Sequence, residues 1–200
     1  MIGWYHRRFI HTRRIDTLAQ HLCELIETGS SVLDVGSGDG RLAASILERR
    51  PDLSIHGVDV LVRDDTAIPV QEFDGTTLPR ESRSIDTVIM VDVLHHTESP
   101  GALLREAARV ARRQVILKDH YRRGVGAAPT LALMDHIGNA RHGVASPGTY
   151  LSPPEWTALY RDSGVRPVRE LQRLGLYPWP LSWMFGRGLH FIAVLEPRDR

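Results

Sequence analysis

The strongest constraint on the fold is a glycine-rich segment at residues 32–40, which reads VLDVGSGDG. Val32, Leu33 and Val35 suit a strand that is covered on both faces, and the glycines that follow suit a turn where a ligand can approach the backbone. From residue 41 onward, apolar side chains recur at helical spacing. A strand, a glycine-rich turn and a helix in this order are typical of the nucleotide-binding corner of an open parallel α/β sheet.

The spacing of the glycines narrows the ligand class. The segment reads G-x-G-x-G, whereas the dinucleotide fingerprint is G-x-G-x-x-G, and no Gly-Lys-Ser/Thr follows as it would in a P-loop. With the acid at Asp34, the pattern is D-x-G-x-G-x-G. A second motif stands further along the chain, where residues 85–88 read IDTV, residues 94–96 read LHH, and Pro100 precedes LREAARV at residues 104–110.

Together these motifs resemble the class I S-adenosylmethionine (SAM)-dependent methyltransferases of the small-molecule, UbiE/type 11-like kind. The resemblance covers about residues 32–110 and departs at residues 111–113, where Ala-Arg-Arg replaces the family's Lys-Pro-Gly-Gly turn. It implies a Rossmann-like, doubly wound α/β fold with a mostly parallel seven-stranded sheet and an antiparallel last strand. We expect one domain over residues 1–200, with a helical lid at 1–30 and a substrate-side insertion at 119–150.

The residues expected to hold the cofactor follow the first three strands. Asp59 ends the predicted strand 53–60, about 20 residues past the glycine turn, where such folds place an acid for the ribose hydroxyls; the alternative is a solvated turn aspartate. Asp74 follows the predicted edge strand 67–73, where the resemblance implies an adenine contact and an ordinary Asp-Gly turn is the alternative. The resemblance implies SAM as cofactor, S-adenosylhomocysteine as product, and this cofactor-binding set: Asp34, Gly36, Ser37, Gly38, Gly40, Asp59, Val60, Asp74, Gly75 and Val91.

Candidate catalytic residues follow the predicted strands at 84–93 and 114–118. Because ligands bind outside the carboxyl ends of such strands, His95, His96, Asp119 and His120 are expected to gather there. Histidine suits a general base near neutral pH. We therefore predict His120 as the first candidate, Asp119 as its orienting partner and His96 as the second candidate, with at least one of the histidines packing or shaping the pocket. The histidines, with His136 and His142, lack a metal-binding spacing, so no metal site is predicted.

The segments outside these motifs leave alternatives open. A helix is predicted from residue 12 to a stop at Gly29, and it is a helix packed on the sheet edge, a lid over the cofactor or a membrane-surface anchor. Helices are also predicted at 130–137 and from Pro153, and strands at 165–176 and 189–195. The aromatic residues at 177–185 are either core cover or the wall of a pocket for an apolar acceptor.

Composition excludes several classes of protein. A net charge of +1 gives no argument for nucleic-acid binding. The single cysteine, Cys23, rules out an intrachain disulfide and fits a reducing compartment, so a cytoplasmic location is expected. No apolar run is long enough to span a bilayer. Lys118 is the only lysine, an arginine bias typical of a GC-rich bacterial genome. The chain is compatible with a homodimer as well as a monomer.

The sequence therefore predicts a SAM-dependent methyltransferase that acts on a small molecule, apolar or aromatic, at oxygen, carbon or nitrogen. Two functions of other classes remain as alternatives. One is an NAD-dependent oxidoreductase, which shares the glycine-rich corner but not the observed spacing. The other is a non-catalytic protein of the same fold with a binding or regulatory role.

Overall fold

A seven-stranded sheet organises the computed structural model of the protein, which describes residues 2–139, 149–179, 181–186 and 188–198. The strands are β1 (Ser31–Val35), β2 (Ser54–Asp59), β3 (Val70–Glu72), β4 (Ile85–Val91), β5 (Ala111–His120), β6 (Val165–Leu171) and β7 (His190–Pro197). The helices are α1 (Ile2–Leu25), α2 (Arg41–Arg49), α3 (Pro100–Val110), α4 (Ala127–Asn139), α5 (Pro153–Asp162) and α6 (Leu181–Phe185), with a 3-10 turn at Leu94–His96.

The order of the strands across the sheet is β3-β2-β1-β4-β5-β7-β6. Strands β1 to β5 pair in parallel, whereas β7 lies antiparallel between β5 and β6. This arrangement confirms the predicted doubly wound fold with an antiparallel last strand. The short β3 lies at the sheet edge, as expected for a strand that follows a proline.

Helices cover both faces of the sheet and create two apolar cores. On one face, Leu18 and Leu22 of α1 and Ile46 of α2 pack against the sheet. On the other face, Leu104 of α3 and Trp156 of α5 belong to the second core. Because helices cover both faces of the sheet, residues 114–120 of β5 are all buried, without the alternation of buried and exposed residues seen in a strand with one face in solvent.

The predicted strand at 165–176 is too long. Strand β6 ends at Leu171, which pairs with Ile192 of β7. The two β7 residues before Ile192, Phe191 and His190, pair only with β5, so the β6 pairing stops at Leu171. The chain after Leu171 instead buries Leu174 and Leu176 among the residues of the α1 core. Burial against a helix, rather than pairing with a strand, therefore accounts for the apolar pattern at 172–176.

The parallel strands direct their carboxyl ends to one edge of the sheet, where the glycine-rich turn and the histidines follow β1, β4 and β5. The N-terminus of the antiparallel β7 reaches the same edge, because His190 is the register partner of His120. In the part of the chain that the structure describes, no helix is both long and apolar enough to cross a membrane. Of the predicted insertion, residues 140–148, which include His142, lie outside the described residues, as does the side chain of His136.

Candidate active site

The glycine-rich turn joins β1 to α2 and uses glycine where other residues do not fit. Gly36, Gly38 and Gly40 all have a left-handed φ, at 72°, 59° and 72°. A Cβ atom on Gly36 would lie 2.6 Å from a methyl group of Val93, which follows β4. A Cβ atom on Gly38 would lie 3.5 Å from its nearest neighbour, the side chain of Arg63, so the backbone is more open there. The turn thus packs tightly at its start and leaves room in its middle.

Replacing Gly36 with Ala is expected to lower the free energy of unfolding by about 2–4 kcal/mol, because a left-handed φ and a clash with Val93 act together. Gly29→Ala is the matched control, since Gly29 has a φ of 71° but nothing within 4 Å of an added Cβ. The control is expected to lose about 1 kcal/mol, the strain alone. Urea denaturation of both variants measures the difference, and equal losses would contradict the packing role of Gly36.

Asp59 ends β2 and is fixed beside the turn by two backbone amides. One carboxylate oxygen accepts a hydrogen bond from Gly38 N at 2.7 Å, and the other accepts one from Leu61 N at 3.0 Å. A carboxylate offers about four lone-pair sites, so acceptor capacity remains for the hydroxyl groups of a ribose. Together with the open backbone at Gly38, this donor and acceptor set fits a nucleoside cofactor.

We propose that Asp59 binds the ribose of the SAM that the sequence motifs imply. Asp59→Ala is then expected to weaken SAM binding about 100-fold or more, because a hydrogen bond to a charged group is worth about 1.5–3 kcal/mol and a diol makes two. Asp64→Ala, in the exposed loop that follows β2, is the matched control and is expected to leave affinity unchanged. Calorimetric titration of folded protein measures both affinities. An affinity for Asp59→Ala within about threefold of the wild-type value would exclude Asp59 from the cofactor site.

Asp74 lies where β3 ends and forms a local turn. Its carboxylate accepts hydrogen bonds from Thr77 N at 2.7 Å and Thr76 N at 2.8 Å, and these bonds hold its pKa below the ordinary range. A Cβ on Gly75 would lie 3.1 Å from the side chain of Val60, which is half exposed beside Asp59. The structure therefore brings Val60 and Gly75 together, and it also shows the Asp-Gly turn that the sequence left as the alternative for Asp74.

Asp34 is a buried acid within β1, with 3% of its surface exposed. Burial raises its pKa to about 7, and the neighbouring charge of Asp59 acts in the same direction. The folded state therefore keeps a proton that the unfolded chain loses near pH 4. Between pH 4 and pH 7 the folded state binds more protons, so the contribution of Asp34 to stability falls as pH rises.

Asp34→Asn removes this titration and is expected to gain stability relative to the wild type as pH rises from about 4 to about 7. The difference in unfolding free energy is expected to grow by up to about 4 kcal/mol and to be flat above that range. Thermal unfolding of the wild type and of Asp34→Asn across pH 4 to 9 measures the difference, and a difference that does not change with pH would contradict the raised pKa of Asp34.

Asp92 follows Val91, the last residue of β4, and joins three segments of the chain. It has a left-handed φ of 58°, rare for a residue other than glycine. One carboxylate oxygen pairs with the fully buried Lys118 of β5, and the other pairs with Arg14 of α1. The positive charges of Lys118 and Arg14 hold the pKa of Asp92 well below its usual range despite its burial. This ion-pair cluster ties α1 to the carboxyl ends of β4 and β5.

The histidines after β4 and β5 form a compact buried group with Asp119. His95 Nδ1 donates a hydrogen bond to Asp119 Oδ1 at 2.7 Å, whereas His120 Nδ1 is 3.3 Å from the same oxygen. The ring of His120 lies 4.9 Å from that of His95 and 4.7 Å from that of His190. The ring of His96 lies 4.0 Å from that of His95, and its side chain is less buried. The structure thus gathers all the predicted catalytic residues.

The charges around these histidines separate their proton affinities. Burial opposes the charged form of His95, but the Asp119 carboxylate outweighs it and raises the pKa of His95. Burial and the Lys118 cation lower the pKa of His120 to about 4, and the same two causes hold the pKa of His190 well below its ordinary value. At neutral pH, His120 and His190 are therefore neutral, and of these three rings His95 binds a proton most readily.

Asp92, His95 and His120 also lie close enough together to share a metal ion. One potential ligand atom from each of Asp92, His95 and His120 lies within 4.8 Å of the others. Lys118 and Arg14 already pair with the two oxygens of Asp92, however, and their charges would repel a divalent cation. The geometry brings the ligand types together, but the electrostatics of the cluster oppose a metal.

Sequence reasoning missed Arg14, Asp92 and His190 as members of the site. It left Tyr177 within the aromatic stretch 177–185, as core cover or a pocket wall, and the ring of Tyr177 lies 5.6 Å from that of His190. A signal for Asp92 was available, since it lies at the carboxyl end of a buried strand as Asp59 does. The positions of Arg14 and His190 depend on how distant segments pack, and the sequence pattern carries no signal for them.

Comparison with known proteins defines the class of this site. A family model for a methyltransferase domain matches residues 4–162, and the chain belongs to this family of class I SAM-dependent methyltransferases. The assignment confirms the resemblance inferred from the motifs and replaces the nicotinamide-dependent alternative. The cofactor is SAM, and the turn, Asp59 and the open backbone at Gly38 fit its nucleoside.

The chain is also similar to individual proteins, in sequence or in fold. The bifunctional methionine biosynthesis protein MetXA/MetW of Rhodopirellula baltica is 34% identical over 125 residues, which cover 51% of this chain but only 20% of that protein. Among solved structures, 1,6-didemethyltoxoflavin-N1-methyltransferase of Burkholderia thailandensis, with bound S-adenosylhomocysteine, has a TM-score of 0.66 at 19% identity and covers 99% of this chain and 85% of its own. A chain from the complex of the Haloferax volcanii Trm112 methyltransferase activator has a TM-score of 0.69 at 16% identity, covering 99% and 96%. At these identities the structural matches show the fold alone.

Proposed function

We propose that the protein transfers the methyl group of SAM to a small-molecule acceptor, apolar or aromatic, that loses a proton as it is methylated at oxygen, carbon or nitrogen. The observation that carries this proposal is the hydrogen bond between His95 and Asp119, in a buried histidine group at the carboxyl ends of β4 and β5. SAM, when bound, supplies a methyl group on a cationic sulfur. The protein then has to hold the acceptor and to accept its proton.

We place the cofactor along the edge formed by β1, β2, β3 and β4. Asp59 holds the ribose, Asp74 and Gly75 with Val60 receive the adenine, and the turn residues with Val91 line the amino-acid end. These roles are supported by the order of the strands and by the position of each residue at a strand end. The turn residues are Asp34, Gly36, Ser37, Gly38 and Gly40.

We place the proton acceptor at His95, with Asp119 as its positioning residue. Asp119 Oδ1 is nearer to His95 Nδ1 than to His120 Nδ1, and it raises the pKa of His95 while that of His120 lies at about 4. A general base works best when its pKa lies near the working pH. His120, the first candidate from sequence, and His96 then act beside His95 in holding the acceptor.

The test is methyl transfer from methyl-labelled SAM to a panel of small acceptors that includes phenols, aromatic amines and compounds with an acidic carbon. Transfer to one of these classes, with formation of S-adenosylhomocysteine, is the expected result. Label that enters only RNA or protein, supplied in parallel, would contradict the proposal. The same panel of acceptors, offered to the His95→Asn variant, tests whether the transfer depends on the proposed base.

A second candidate function is a binding role in methionine biosynthesis, and only the similarity to MetXA/MetW favours it. Deletion of the gene would then create a requirement for methionine. Rescue by a His95→Asn variant as well as by the wild type would favour this binding role. Rescue by the wild type alone would favour the catalytic proposal.

A further inference from the structure

His190 is a buried histidine whose hydrogen bonds are missing. Its side chain is 4% exposed, and neither ring nitrogen has a hydrogen-bond partner among the residues that the structure describes. Buried polar side-chain atoms are normally paired, because an unpaired donor or acceptor loses its hydration without compensation. An imidazole left in this state at the sheet edge where the acceptor is placed indicates that a bound molecule supplies the partner.

The position of His190 supports this interpretation. It begins β7 and is the register partner of His120, the last residue of β5, so the two side chains lie on the same face of the sheet. Their ring centroids are 4.7 Å apart. His120 in turn lies 4.9 Å from His95, the proposed base. The rings of His120 and His190 are in contact, so a hydroxyl group that binds at their edges lies close to His95, the proposed proton acceptor.

The hydrogen-bonding chemistry of His120 and His190 favours one type of ligand group. Both rings are neutral, because burial and the Lys118 cation disfavour their charged forms. A neutral imidazole has one donor and one acceptor, and a hydroxyl group can donate one hydrogen bond and accept others. A hydrocarbon would leave the nitrogens of His190 unpaired, and an ammonium group would be repelled by Lys118 and Arg14.

The surroundings of the pair are aromatic. The ring of Tyr177 lies 5.6 Å from that of His190, and Phe185 lies 5.6 Å beyond Tyr177. On the other side, the ring of Tyr150 lies 6.0 Å from that of His120. Such walls suit a flat aromatic body through stacked or edge-to-face contacts.

We propose that His190 and His120 form a specificity site for the hydroxyl group of an aromatic acceptor, so that the substrate class is a phenol-type compound methylated on or beside that oxygen. This inference rests on the proposed function and names its acceptor. His190 donates its N–H to the hydroxyl oxygen, and His95, positioned by Asp119, receives the hydroxyl proton. For methylation on the oxygen, the oxygen–methyl bond forms as the sulfur–methyl bond of SAM breaks to leave S-adenosylhomocysteine. For methylation at the adjacent ring carbon, the same sulfur–methyl bond breaks, and the hydrogen on that carbon returns to the oxygen as the ring regains its aromaticity.

The experiment compares 2-naphthol with naphthalene and 2-methoxynaphthalene as probes, on protein saturated with S-adenosylhomocysteine. Wild-type protein is expected to bind 2-naphthol about 10-fold or more tightly than either analogue, because the hydroxyl both accepts from and donates to the buried imidazoles, whereas the ether only accepts and the hydrocarbon does neither. With histidine labelled in its ring nitrogens, 2-naphthol is also expected to shift the nitrogen NMR signals of His190. Naphthalene is expected to leave those signals in place.

His190→Phe is expected to remove the hydroxyl preference while retaining S-adenosylhomocysteine binding, and His190→Gln, which keeps polar atoms, is expected to retain part of it. His56→Phe, at an exposed position of β2, is the matched control and keeps the preference. Equal binding of the three probes, no binding of any probe, or an unchanged preference in His190→Phe would overturn the inference. Failure of the wild-type protein to bind S-adenosylhomocysteine would instead count against the proposed function. The three probes would then be measured on protein without S-adenosylhomocysteine.

Discussion

Replacing His95 with Asn is expected to reduce the rate of methyl transfer about 10²- to 10⁴-fold, the usual contribution of a general base. Asparagine keeps a donor near the position of Nδ1, so the hydrogen bond to Asp119 and the local packing are retained. Affinity for SAM is expected to be unchanged, because the loss lies in proton transfer. The measurement is kcat with the acceptor found in the labelled panel, beside calorimetric titration with SAM.

Asp119→Asn distinguishes a positioning role from a structural one. The Asp119 carboxylate raises the pKa of His95, so its loss lowers that pKa. Since the base must be unprotonated, the rate rises with pH as His95 loses its proton, and in Asp119→Asn this rise is expected at lower pH. His56→Asn is the control and is expected to keep the wild-type dependence of rate on pH.

For the His95 prediction, a methyl-transfer rate of His95→Asn within about threefold of the wild-type rate would exclude His95 as the base.

Asp92→Asn is expected to lower the free energy of unfolding by about 3–5 kcal/mol, the usual loss when one partner of a buried ion pair is removed. The substitution conserves shape, and asparagine tolerates the left-handed φ of 58°, so added backbone strain does not contribute. The loss arises because Lys118 is fully buried and Arg14 is largely enclosed, and both lose their counter-charge. Chemical denaturation monitored by circular dichroism measures it.

Asp86→Asn is the matched control, because Asp86 is the second residue of the same strand and its side chain is as enclosed as that of Asp92, at 16% and 17% exposure. Its cationic partner Arg112 is half exposed, so water replaces the lost ion pair, and the asparagine oxygen can still accept from the amide and hydroxyl of Ser31. A loss of about 1–2 kcal/mol is expected. The double variant Asp92→Asn with Lys118→Met is expected to be more stable than Asp92→Asn alone, because the orphaned charge is gone. Equal losses for Asp92→Asn and Asp86→Asn would contradict the account of the cluster.

The parts of the fold that the sequence predicts well depend on local pattern. The β1 strand, the turn at Gly36–Gly40 and helix α2 are contiguous, and their spacing alone fixes the corner of the sheet. Helix α5 is similar, since Ser152 N donates to Glu155 at 2.6 Å in the capping arrangement that its sequence encodes. Local signals fail at 172–176, where burial under α1 produces the same apolar pattern as a strand.

The parts of the site that the sequence does not predict are those assembled from distant segments. Arg14, Asp92 and Lys118 come from α1, the end of β4 and β5, and His190 reaches His120 only because β7 inserts beside β5. The choice between neighbouring histidines is also a matter of packing. The 3-10 turn at Leu94–His96 buries His95 against Asp119 and leaves His96 less buried, which no spacing rule distinguishes.

We propose that the edge formed by β1, β2, β3 and β4 binds SAM, and calorimetric titration of the purified protein with SAM, S-adenosylhomocysteine and NADH tests this placement most directly. Micromolar binding of the two sulfur nucleotides, with none of NADH, is the predicted result. Binding of NADH, or failure to bind either sulfur nucleotide, would contradict the assignment of Asp59 and the glycine-rich turn to the cofactor.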